Sequence, residues 1–263
     1  MTLPPDFADA VAAVRSRLGR IGATIDYFPA VGSTNDVAAT LSEGAVVVAD
    51  AQTAGRGRRG HSWFSPPASG LYLSVVLSPS RSVDPRRATS LTTIAAGVAV
   101  ADAIETATSL RVRLKWPNDL YVARRKLGGI LAEAAAAGDR IHTVVVGCGI
   151  NVSDAAYPPE LRDRVTSLEA ALGSAPGRGP LLAETLAALA ARYDDLLAGR
   201  FDAILNGWRG RAGDDIASRA RVAWDAGDGP RSGTVVDIDD EGALLVETER
   251  GRVRIVSGEL TWT

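Results

Sequence analysis

Lysine is rare in this chain, and its two lysines lie in segments whose residue types suit chemistry. Of the 29 basic residues, only Lys115 and Lys126 are lysine, and all the others are arginine. A lysine ammonium is a compact charge on a flexible stem, whereas an arginine guanidinium is a rigid fork of five donors. Two lysines so close together in an arginine-rich chain indicate that both positions need a compact cation. The alternative is the chance survival of two surface lysines.

The segments around the two lysines contain groups that bind nucleotides, metals and acids. Asn118 and Asp119 place an amide and a carboxylate at a predicted strand end, where they could read an adenine edge and hold Mg²⁺, or simply cap a turn. Lys126 opens a predicted strand that Gly128 and Gly129 interrupt. Glycines inside a strand indicate a bulge or the close approach of a ligand. An ammonium there could stabilise negative charge that develops on a carboxyl or phosphoryl group.

The segment 52–61 is rich in glycine, and Gly55, Gly57 and Gly60 match the spacing G-x-G-x-x-G. In a dinucleotide-binding fold, a helix opens directly after the last glycine. Here a Ser-Trp-Phe-Ser-Pro-Pro run follows after one residue, and it cannot form that helix. The sequence therefore excludes a dinucleotide fingerprint and predicts a loop that is mobile when empty and ordered when filled.

Arginines and aromatic rings give this loop two means of holding a ligand. Arg56, Arg58 and Arg59 supply guanidinium groups for charge-assisted bonds to phosphate. Trp63 and Phe64 follow, and an aromatic face there could cover a purine or an apolar ligand. The alternative is a solvated basic turn with both aromatic residues in the core.

A third glycine-containing segment, 147–152, closes another predicted strand, and its two glycines and Asn151 could line the same cavity. It contains the single cysteine, Cys148, which we interpret as a buried structural thiol because nothing nearby marks it as a nucleophile. One cysteine excludes an intrachain disulfide and fits a reducing compartment.

The composition is that of an ordinary globular protein. The chain has 263 residues, a net charge of −2, 46% apolar residues and 23% charged residues. The charge gives no overall basic field for nucleic acid. No uninterrupted apolar run reaches the ~18 residues that a membrane span needs, and the N-terminal segment does not resemble a signal peptide. We therefore expect a soluble, cytoplasmic protein without a membrane partner.

Hydrophobic periodicity predicts an α+β protein whose mixed β-sheet is covered by helices. Strands are predicted at 24–31, 45–49, 71–77, 111–115, 127–134 and 143–146, and helices at 7–18, from 33–36 onward, 84–106 and 181–209. Residues 175–180 are predicted to form a flexible loop. After Asp215, four short alternating segments separated by Gly/Asp turns predict a small C-terminal β-barrel. We expect two domains, 1–214 and 215–263.

The order of the motifs resembles that of the biotin–protein ligases over residues 20 to 260. The matching segments are Ser33-Thr34-Asn35, 52–60, 115–119, 126–130 and 149–152. The resemblance implies a biotin/lipoate ligase-like catalytic domain followed by an SH3-like barrel. It further implies an ATP-dependent biotin–[biotin carboxyl-carrier protein] ligase. Such an enzyme makes biotinoyl-5′-AMP from biotin and Mg·ATP, then passes biotin to a lysine of a biotin carboxyl carrier domain of an acyl-CoA carboxylase.

The resemblance also assigns expected roles to individual residues. The biotin site would comprise Ser33, Thr34, Asn35, Gln52, Gly55, Arg56, Lys126, Gly128 and Gly129. The nucleotide site would comprise Arg58, Arg59, Trp63, Lys115, Asn118 and Asn151, with Asp119 as the candidate Mg²⁺ ligand. The catalytic group would be Lys126, Lys115, Arg56 and Arg58.

Departures from the family pattern set further expectations. Some relatives carry an N-terminal helix-turn-helix domain, and this chain has no segment for one before residue 20, so we expect a ligase that does not bind DNA and is a monomer or weak homodimer. His61 stands where some relatives have another arginine. The segment 260–263 lacks the terminal arginine that some relatives offer to the nucleotide, which leaves open whether the barrel contacts ATP.

Two other functions stay open from the sequence. One is a lipoate or octanoate protein ligase or transferase of the related fold, against which the glycine-arginine loop, the segment 116–119 and the barrel argue. The other is a nucleic-acid-binding module built on Arg56, Arg58 and Arg59, against which the net charge of −2 argues.

Overall fold

The computed structural model describes residues 2–137, 140–217, 219–225, 229–258 and 260–262. The helices are α1 (Pro5–Ala13), α2 (Thr34–Ala38), α3 (Pro85–Thr108), α4 (Leu168–Leu172), α5 (Arg178–Leu197) and α6 (Phe201–Ala217). The strands of the larger sheet are β1 (Ile25–Phe28), β2 (Val46–Ala49), β3 (Gly70–Leu77), β4 (Arg113–Lys115), β5 (Asp119–Val122), β6 (Arg125–Ala137) and β7 (Arg140–Asn151). The C-terminal strands are β8 (Arg221–Asp225), β9 (Pro230–Ile238), β10 (Leu244–Thr248), β11 (Gly251–Ile255) and β12 (Thr261–Trp262).

A seven-stranded sheet in the order β1-β2-β3-β7-β6-β5-β4 forms the framework. Strands β1 and β2 run parallel, and the other described neighbours are antiparallel. The predicted mixed sheet is therefore confirmed. Its register places Asp119 of β5 opposite Gly129 of β6, and Gly129 opposite Gly149 of β7. A carboxylate and two glycines thus lie side by side across three strands.

Helices cover this sheet, and α3 is the longest of those described. The Asp84 side chain accepts a hydrogen bond from the Arg87 amide over 3.1 Å, and Pro85 occupies the first turn. The helix ends at Thr108, and the next residue, Ser109, has a left-handed φ of 61°. By length and composition α3 would suffice to cross a membrane, but 67% of its apolar window is buried inside the protein. Such burial is typical of a core helix.

A second, antiparallel sheet follows in the order β11-β10-β9-β8-β12. Four of its strands lie where the alternating pattern predicts them, and β12 is an addition. Among the described pairings, β11 and β12 lie at opposite edges, so a second sheet is confirmed while its closure into a barrel stays a prediction.

The C-terminal sheet is fixed to the larger one through the turn that joins β9 and β10. The indole Nε1 of Trp116 donates to the carbonyl of Gly242 over 2.9 Å, in a buried position. A second contact comes from helix α6. Its Arg209 donates to the Asp237 carboxylate over 2.8 Å and to the Ile238 carbonyl over 3.0 Å. Contacts at two places give this sheet one position beside β4 and α6.

Three local predictions differ from the structure. Residues 119–122 form strand β5, which the sequence analysis missed because a polar Asn-Asp pair precedes a very short apolar run; pairing with β4 and β6 overrides that local signal. The predicted loop 175–180 is wrong at its end, since α5 starts at Arg178. The predicted helix 7–18 is α1 followed by a 3₁₀ turn, Arg15–Arg17. Helix α6 ends at Ala217, and the division of the chain into domains at residue 214 stays a prediction.

Candidate active site

One large cleft gathers the residues that the sequence analysis selected. Its volume is about 1730 Å³, and every predicted site residue except Gly128 lines it. The segment 52–65, strands β5 to β7 and the C-terminal sheet form its walls. Gly128 is explained by strand packing, because a Cβ there would lie only 2.7 Å from the carbonyl oxygen of Gly149 on the next strand.

One end of the cleft carries a network of uncharged polar side chains. Gln52 Oε1 accepts hydrogen bonds from Thr34 N over 2.9 Å and from Thr34 Oγ1 over 3.1 Å. Gln52 Nε2 donates to Ser65 Oγ over 3.0 Å. Ser33, Thr34 and Ser65 are all buried. Because Thr34, Gln52 and Ser65 are bonded to one another, this end holds their amide and hydroxyl groups in fixed orientations.

Asn35 belongs to the same end and contacts three strands. Its Oδ1 accepts from Ser74 Oγ of β3 over 2.6 Å, and its Nδ2 donates to Glu133 Oε2 of β6 over 2.6 Å. A Cβ at Gly147 of β7 would come within 2.3 Å of Asn35 Oδ1. The glycine in β7 therefore provides the space that this amide occupies.

The glycine-arginine segment is a tight hairpin folded over the sheet. Gly57 N donates to His61 O over 2.7 Å, and Trp63 N donates to Gly55 O over 2.8 Å. Arg59 adopts a left-handed φ of 55° at its tip. A Cβ at Gly55 would lie 2.5 Å from the Trp63 carbonyl oxygen, so only glycine permits this close approach.

Trp63 places an aromatic ring against the sheet. A Cβ on Gly149 would lie 2.6 Å from its indole ring, so the ring rests directly on the glycine backbone. Its indole Nε1 is buried and has no hydrogen-bond partner among the described groups. Phe64, the next residue, is 51% exposed, which contradicts the alternative of a basic turn with both rings in the core.

Lys126 lines the cleft and is fixed from several sides. Its Nζ lies 2.6 Å from Asp119 Oδ1 and 5.5 Å from the centre of the Trp63 ring. Its backbone donates to Arg164 O and accepts from Thr166 N, each over 2.9 Å. A Cβ at Gly129 would lie 3.7 Å from Nζ, which is an ordinary contact, so the position of the ammonium does not require a glycine there.

Lys115 lies between two aromatic rings from different sheets. Its Nζ is 4.9 Å from the ring centre of Tyr121 on β5 and 5.2 Å from that of Trp262 on β12. Burial raises the pKa of Tyr121 to about 12, with Asp119 adding to the effect, so this phenol stays neutral beside the lysine. The aromatic faces stabilise the ammonium by cation–π interaction.

Arg58 and Asn118 form a further contact across the cleft. Arg58 Nη1 donates to Asn118 Oδ1 over 3.4 Å, and Asn118 Nδ2 donates to the Ile130 carbonyl over 2.8 Å. Burial, followed by repulsion from Arg59, lowers the pKa of Arg58 from its ordinary value. The free-energy cost of desolvating a guanidinium is offset when an anion binds beside it. Asn151, in contrast, is buried and donates to the Thr166 carbonyl over 3.0 Å, which fixes the wall of the cleft.

The cleft is strongly basic although the chain is not. Ten basic residues line it, against the two carboxylates of Asp119 and Asp163. The basic residues are Arg56, Arg58, Arg59, Arg113, Lys115, Arg124, Lys126, Arg164, Arg219 and Arg221. A concave surface lined by one sign of charge concentrates ligands of the opposite sign, so this cleft suits an anion with several charges.

The sequence analysis missed four residues that complete this site. Asp36 and Glu133 hold Arg56, and Tyr121 and Trp262 flank Lys115. A signal for Glu133 is present in the sequence: it lies two residues from Leu131 and four from Gly129, and alternate residues of a strand share a face. The other three depend on contacts between distant elements.

Comparison with known proteins first defines the class. Residues 27–151 match the Biotin/lipoate A/B protein ligase family, and residues 221–260 match the Biotin protein ligase C terminal domain. Most of the mixed sheet and most of the cleft lining lie in the first region, and the second covers most of the C-terminal sheet. The class is therefore that of the biotin and lipoate protein ligases.

Comparison with individual proteins shows to which family within this class the chain belongs. The chain is 35% identical to the biotin–[acetyl-CoA-carboxylase] ligase of Mycobacterium tuberculosis over 89% of this chain and 86% of that relative. It is 36% identical to a bifunctional ligase/repressor of Bacillus subtilis over 91% of this chain and 74% of that relative. The structure of the biotin protein ligase from Aquifex aeolicus in complex with biotin and ATP matches with a TM-score of 0.78 at 29% identity, covering 92% of this chain and 99% of that one. The chain belongs to the biotin–protein ligase family.

Proposed function

We propose that this chain is an ATP-dependent biotin–protein ligase, which makes biotinoyl-5′-AMP and transfers its biotin to a lysine of a carrier domain. The observation that carries the proposal is one cleft with two unlike ends. A fixed network of amides and hydroxyls lies at one end, and a cluster of cations with Trp63 lies at the other. Membership of the family and the solved relative with biotin and ATP support the same reading.

The first half-reaction joins a carboxylate to a phosphoryl group. A biotin carboxylate oxygen attacks the α-phosphorus of ATP, and the bond from that phosphorus to the bridging β-oxygen breaks, so that pyrophosphate leaves. Cations around the phosphoryl group stabilise the charge of the transition state. Lys126 lines the cleft and is our candidate for the carboxyl and phosphoryl oxygens, with Arg58 and Lys115 supporting the phosphates.

The second half-reaction transfers the acyl group. The neutral amine of the acceptor lysine attacks the acyl carbon, the bond to the AMP oxygen breaks, and the amine proton leaves with the formation of the amide. Water must be kept from the mixed anhydride until then, and the hairpin 55–63 with Trp63 covers the cleft. No enzyme nucleophile is required, which agrees with Cys148, whose burial raises the pKa of the thiol to about 12.

The polar network is our candidate for the ureido end of biotin. Thr34, Asn35 and Gln52 offer donors and acceptors in fixed directions, as a ureido group requires, with Ser33, Gly55 and Gly129 beside them. For the nucleotide we propose Arg59, Asn118 and Trp63 together with the cations named above. For Asn151 we propose an indirect role, in which its hydrogen bond to the Thr166 carbonyl fixes the shape of the cleft wall.

Mg²⁺ enters this proposal as part of the Mg·ATP substrate. No group of three or more potential metal-binding side chains occurs among the described residues. Mg²⁺ commonly keeps several waters and binds one or two carboxylates together with substrate phosphates. Asp119 is the candidate protein ligand, and it would share its carboxylate with Lys126.

The acceptor, assembly state and location are also proposals. A biotin carboxyl carrier domain of an acyl-CoA carboxylase is the proposed partner, since relatives are named biotin–[acetyl-CoA-carboxylase] ligases. A monomer or weak homodimer, the absence of DNA binding and a cytoplasmic location remain predictions.

The test is biotin-dependent exchange of pyrophosphate into ATP by the purified protein, with lipoate as the competing acid. Exchange that requires biotin and is absent with lipoate would support the proposal. Exchange with lipoate alone would favour the lipoate ligase alternative. Folded protein with Mg²⁺ that gives no exchange with either acid would contradict both.

A further inference from the structure

Arg56 is held by carboxylates from two different elements. Its Nη1 lies 2.7 Å from Asp36 Oδ1 on α2, and its Nη2 lies 2.9 Å from Glu133 Oε2 on β6. These hydrogen bonds raise the pKa of Arg56 above its ordinary value, and the bond to Asp36 has the larger effect. Arg56 belongs to the hairpin 55–63, so its two charge-assisted bonds fasten the hairpin to the body of the protein.

Glu133 is the point at which the hairpin meets the polar end of the cleft. The same oxygen, Oε2, accepts from Arg56 and, over 2.6 Å, from Asn35 Nδ2. The other acceptor for this amide, the Leu131 carbonyl, is 3.4 Å away. Asn35 is 4% exposed, and its Oδ1 is occupied by Ser74. Glu133 and Ser74 together therefore determine which way the amide of Asn35 points, and Glu133 is the acceptor for its Nδ2 at the shorter distance.

We propose that Glu133 is a positioning residue that couples occupancy of the polar end of the cleft to closure of the hairpin 55–63. A ligand that holds the Asn35 amide also holds Glu133, and through it Arg56. Coupling of this kind is reciprocal, so a closed hairpin also strengthens binding at the polar end. The inference rests on the proposed function where it takes biotin as that ligand and the adenylate as the molecule that the hairpin retains.

Glu133→Gln is the variant of choice, because it preserves the size of the side chain and its acceptor for Asn35 while removing the charge that pairs with Arg56. Glu184→Gln is the matched control: Glu184 pairs with Arg17 over 2.8 Å on the surface, outside the residues that line the cleft. Both variants should unfold thermally within a few degrees of the parent protein.

The first measurement is amide hydrogen exchange of the ligand-free protein, followed over residues 53–63. Glu133→Gln should speed exchange there by about 3- to 10-fold, the range for a half-exposed, charge-assisted contact. Glu184→Gln should leave it unchanged. Equal exchange in Glu133→Gln and the parent protein would overturn the proposal, whatever the enzyme's activity.

The second measurement adds biotin. In the parent protein biotin should slow exchange of the hairpin, and in Glu133→Gln that protection should largely disappear. Preformed biotinoyl-5′-AMP should also dissociate faster from the variant, and the effects of Glu133→Gln and Arg56→Gln on that rate should not add. Additive effects, or protection that survives in the variant, would overturn the coupling.

The two proposals fail in different ways. If the parent protein gives no biotin-dependent pyrophosphate exchange, the proposed function fails, and ligand-free hydrogen exchange still decides whether Glu133 fastens the hairpin. If pyrophosphate exchange is present but biotin does not slow hydrogen exchange of the hairpin, the proposed coupling is wrong and the proposed ligase function is retained.

Discussion

Lys126 shows how a single cation can be given one position. Its backbone is bonded on both sides, to Arg164 and Thr166, and its Nζ is fixed by Asp119 at 2.6 Å with Trp63 beside it. These contacts suit a point charge whose donors can turn toward several oxygens. A guanidinium is planar and larger, so it cannot replace the ammonium in the same space.

We expect Lys126→Arg to damage catalysis far more than folding. Biotin-dependent pyrophosphate exchange should fall by about 10²-fold or more, the size seen when one transition-state donor is lost. The Tm should move by only a few degrees, because the side chain is partly exposed. Arg17→Lys, at the surface pair with Glu184, is the control and should change neither quantity. Undiminished exchange in Lys126→Arg would refute this account of the lysine.

The Cys148 thiol should be inert in the folded protein. Burial raises its pKa to about 12, whereas an unfolded chain has a thiol pKa of about 8.5. Between those values the thiol is protonated when folded and ionised when unfolded, so its contribution to stability is complete below pH ~8.5 and declines as the pH rises. Iodoacetamide at pH 8.5 should label the denatured protein and spare the native one. Equal labelling of both would show that the thiol is accessible.

The same thiol should affect the pH dependence of unfolding. From pH 9 to 10 its linkage should remove up to about 1.4 kcal/mol from the free energy of unfolding. Cys148→Ala should flatten that part of the profile. An identical slope in the variant would assign the loss to other groups, of which Tyr72, with a burial-raised pKa of about 12, is one.

At the scale of elements, β7 is shaped by glycines at alternate positions on one face. Gly147 makes room for Asn35, and Gly149 makes room for Trp63. The two partners lie at different ends of the cleft: one in the polar network, the other beside the cations. A strand of small residues thus receives two side chains from two different segments of the chain.

Alanine at these two glycines should affect the two substrates differently. Gly147→Ala places a Cβ 2.3 Å from Asn35 Oδ1 and should raise the KM for biotin. Gly149→Ala places a Cβ 2.6 Å from the Trp63 ring and should raise the KM for ATP. Overpacking of about 1–3 kcal/mol corresponds to roughly 5- to 150-fold. Gly97→Ala is the control, since its Cβ would meet Leu114 at an ordinary 3.5 Å. Equal effects on both KM values from both variants would contradict this division of the cleft.

An element could be predicted from the sequence only where its signal is local. The central strands and α3 could be predicted because their apolar periodicity and caps are local signals. Strand β5 could not, because its four residues become a strand only by pairing with β4 and β6. Five of the ten basic residues that line the cleft were among the predicted site residues, but the partners of Arg56 were not. Those partners come from α2 and β6, and tertiary contact alone unites them.

At the scale of the whole molecule, two sheets together complete the cleft. Arg219, Arg221 and Trp262 from the C-terminal region line it beside Lys115. The hydrogen bond from Trp116 to Gly242 holds the second sheet in place. The sequence left open whether this region contributes to the nucleotide end. In the structure, Trp262 occupies the place beside Lys115.

We therefore expect Trp262→Leu to raise the KM for ATP by about 3- to 10-fold and to leave the KM for biotin unchanged. The reason is that the variant loses one of the two aromatic rings that stabilise the Lys115 ammonium. Val256→Ala is the control: Val256 directly follows β11, is 65% exposed and should tolerate truncation. Steady-state pyrophosphate exchange, with each substrate varied in turn, separates the two KM values. A parallel rise in both would mean that Trp262 supports the fold as a whole. No rise in either would mean that the second sheet is a neighbour of the nucleotide site and takes no part in it.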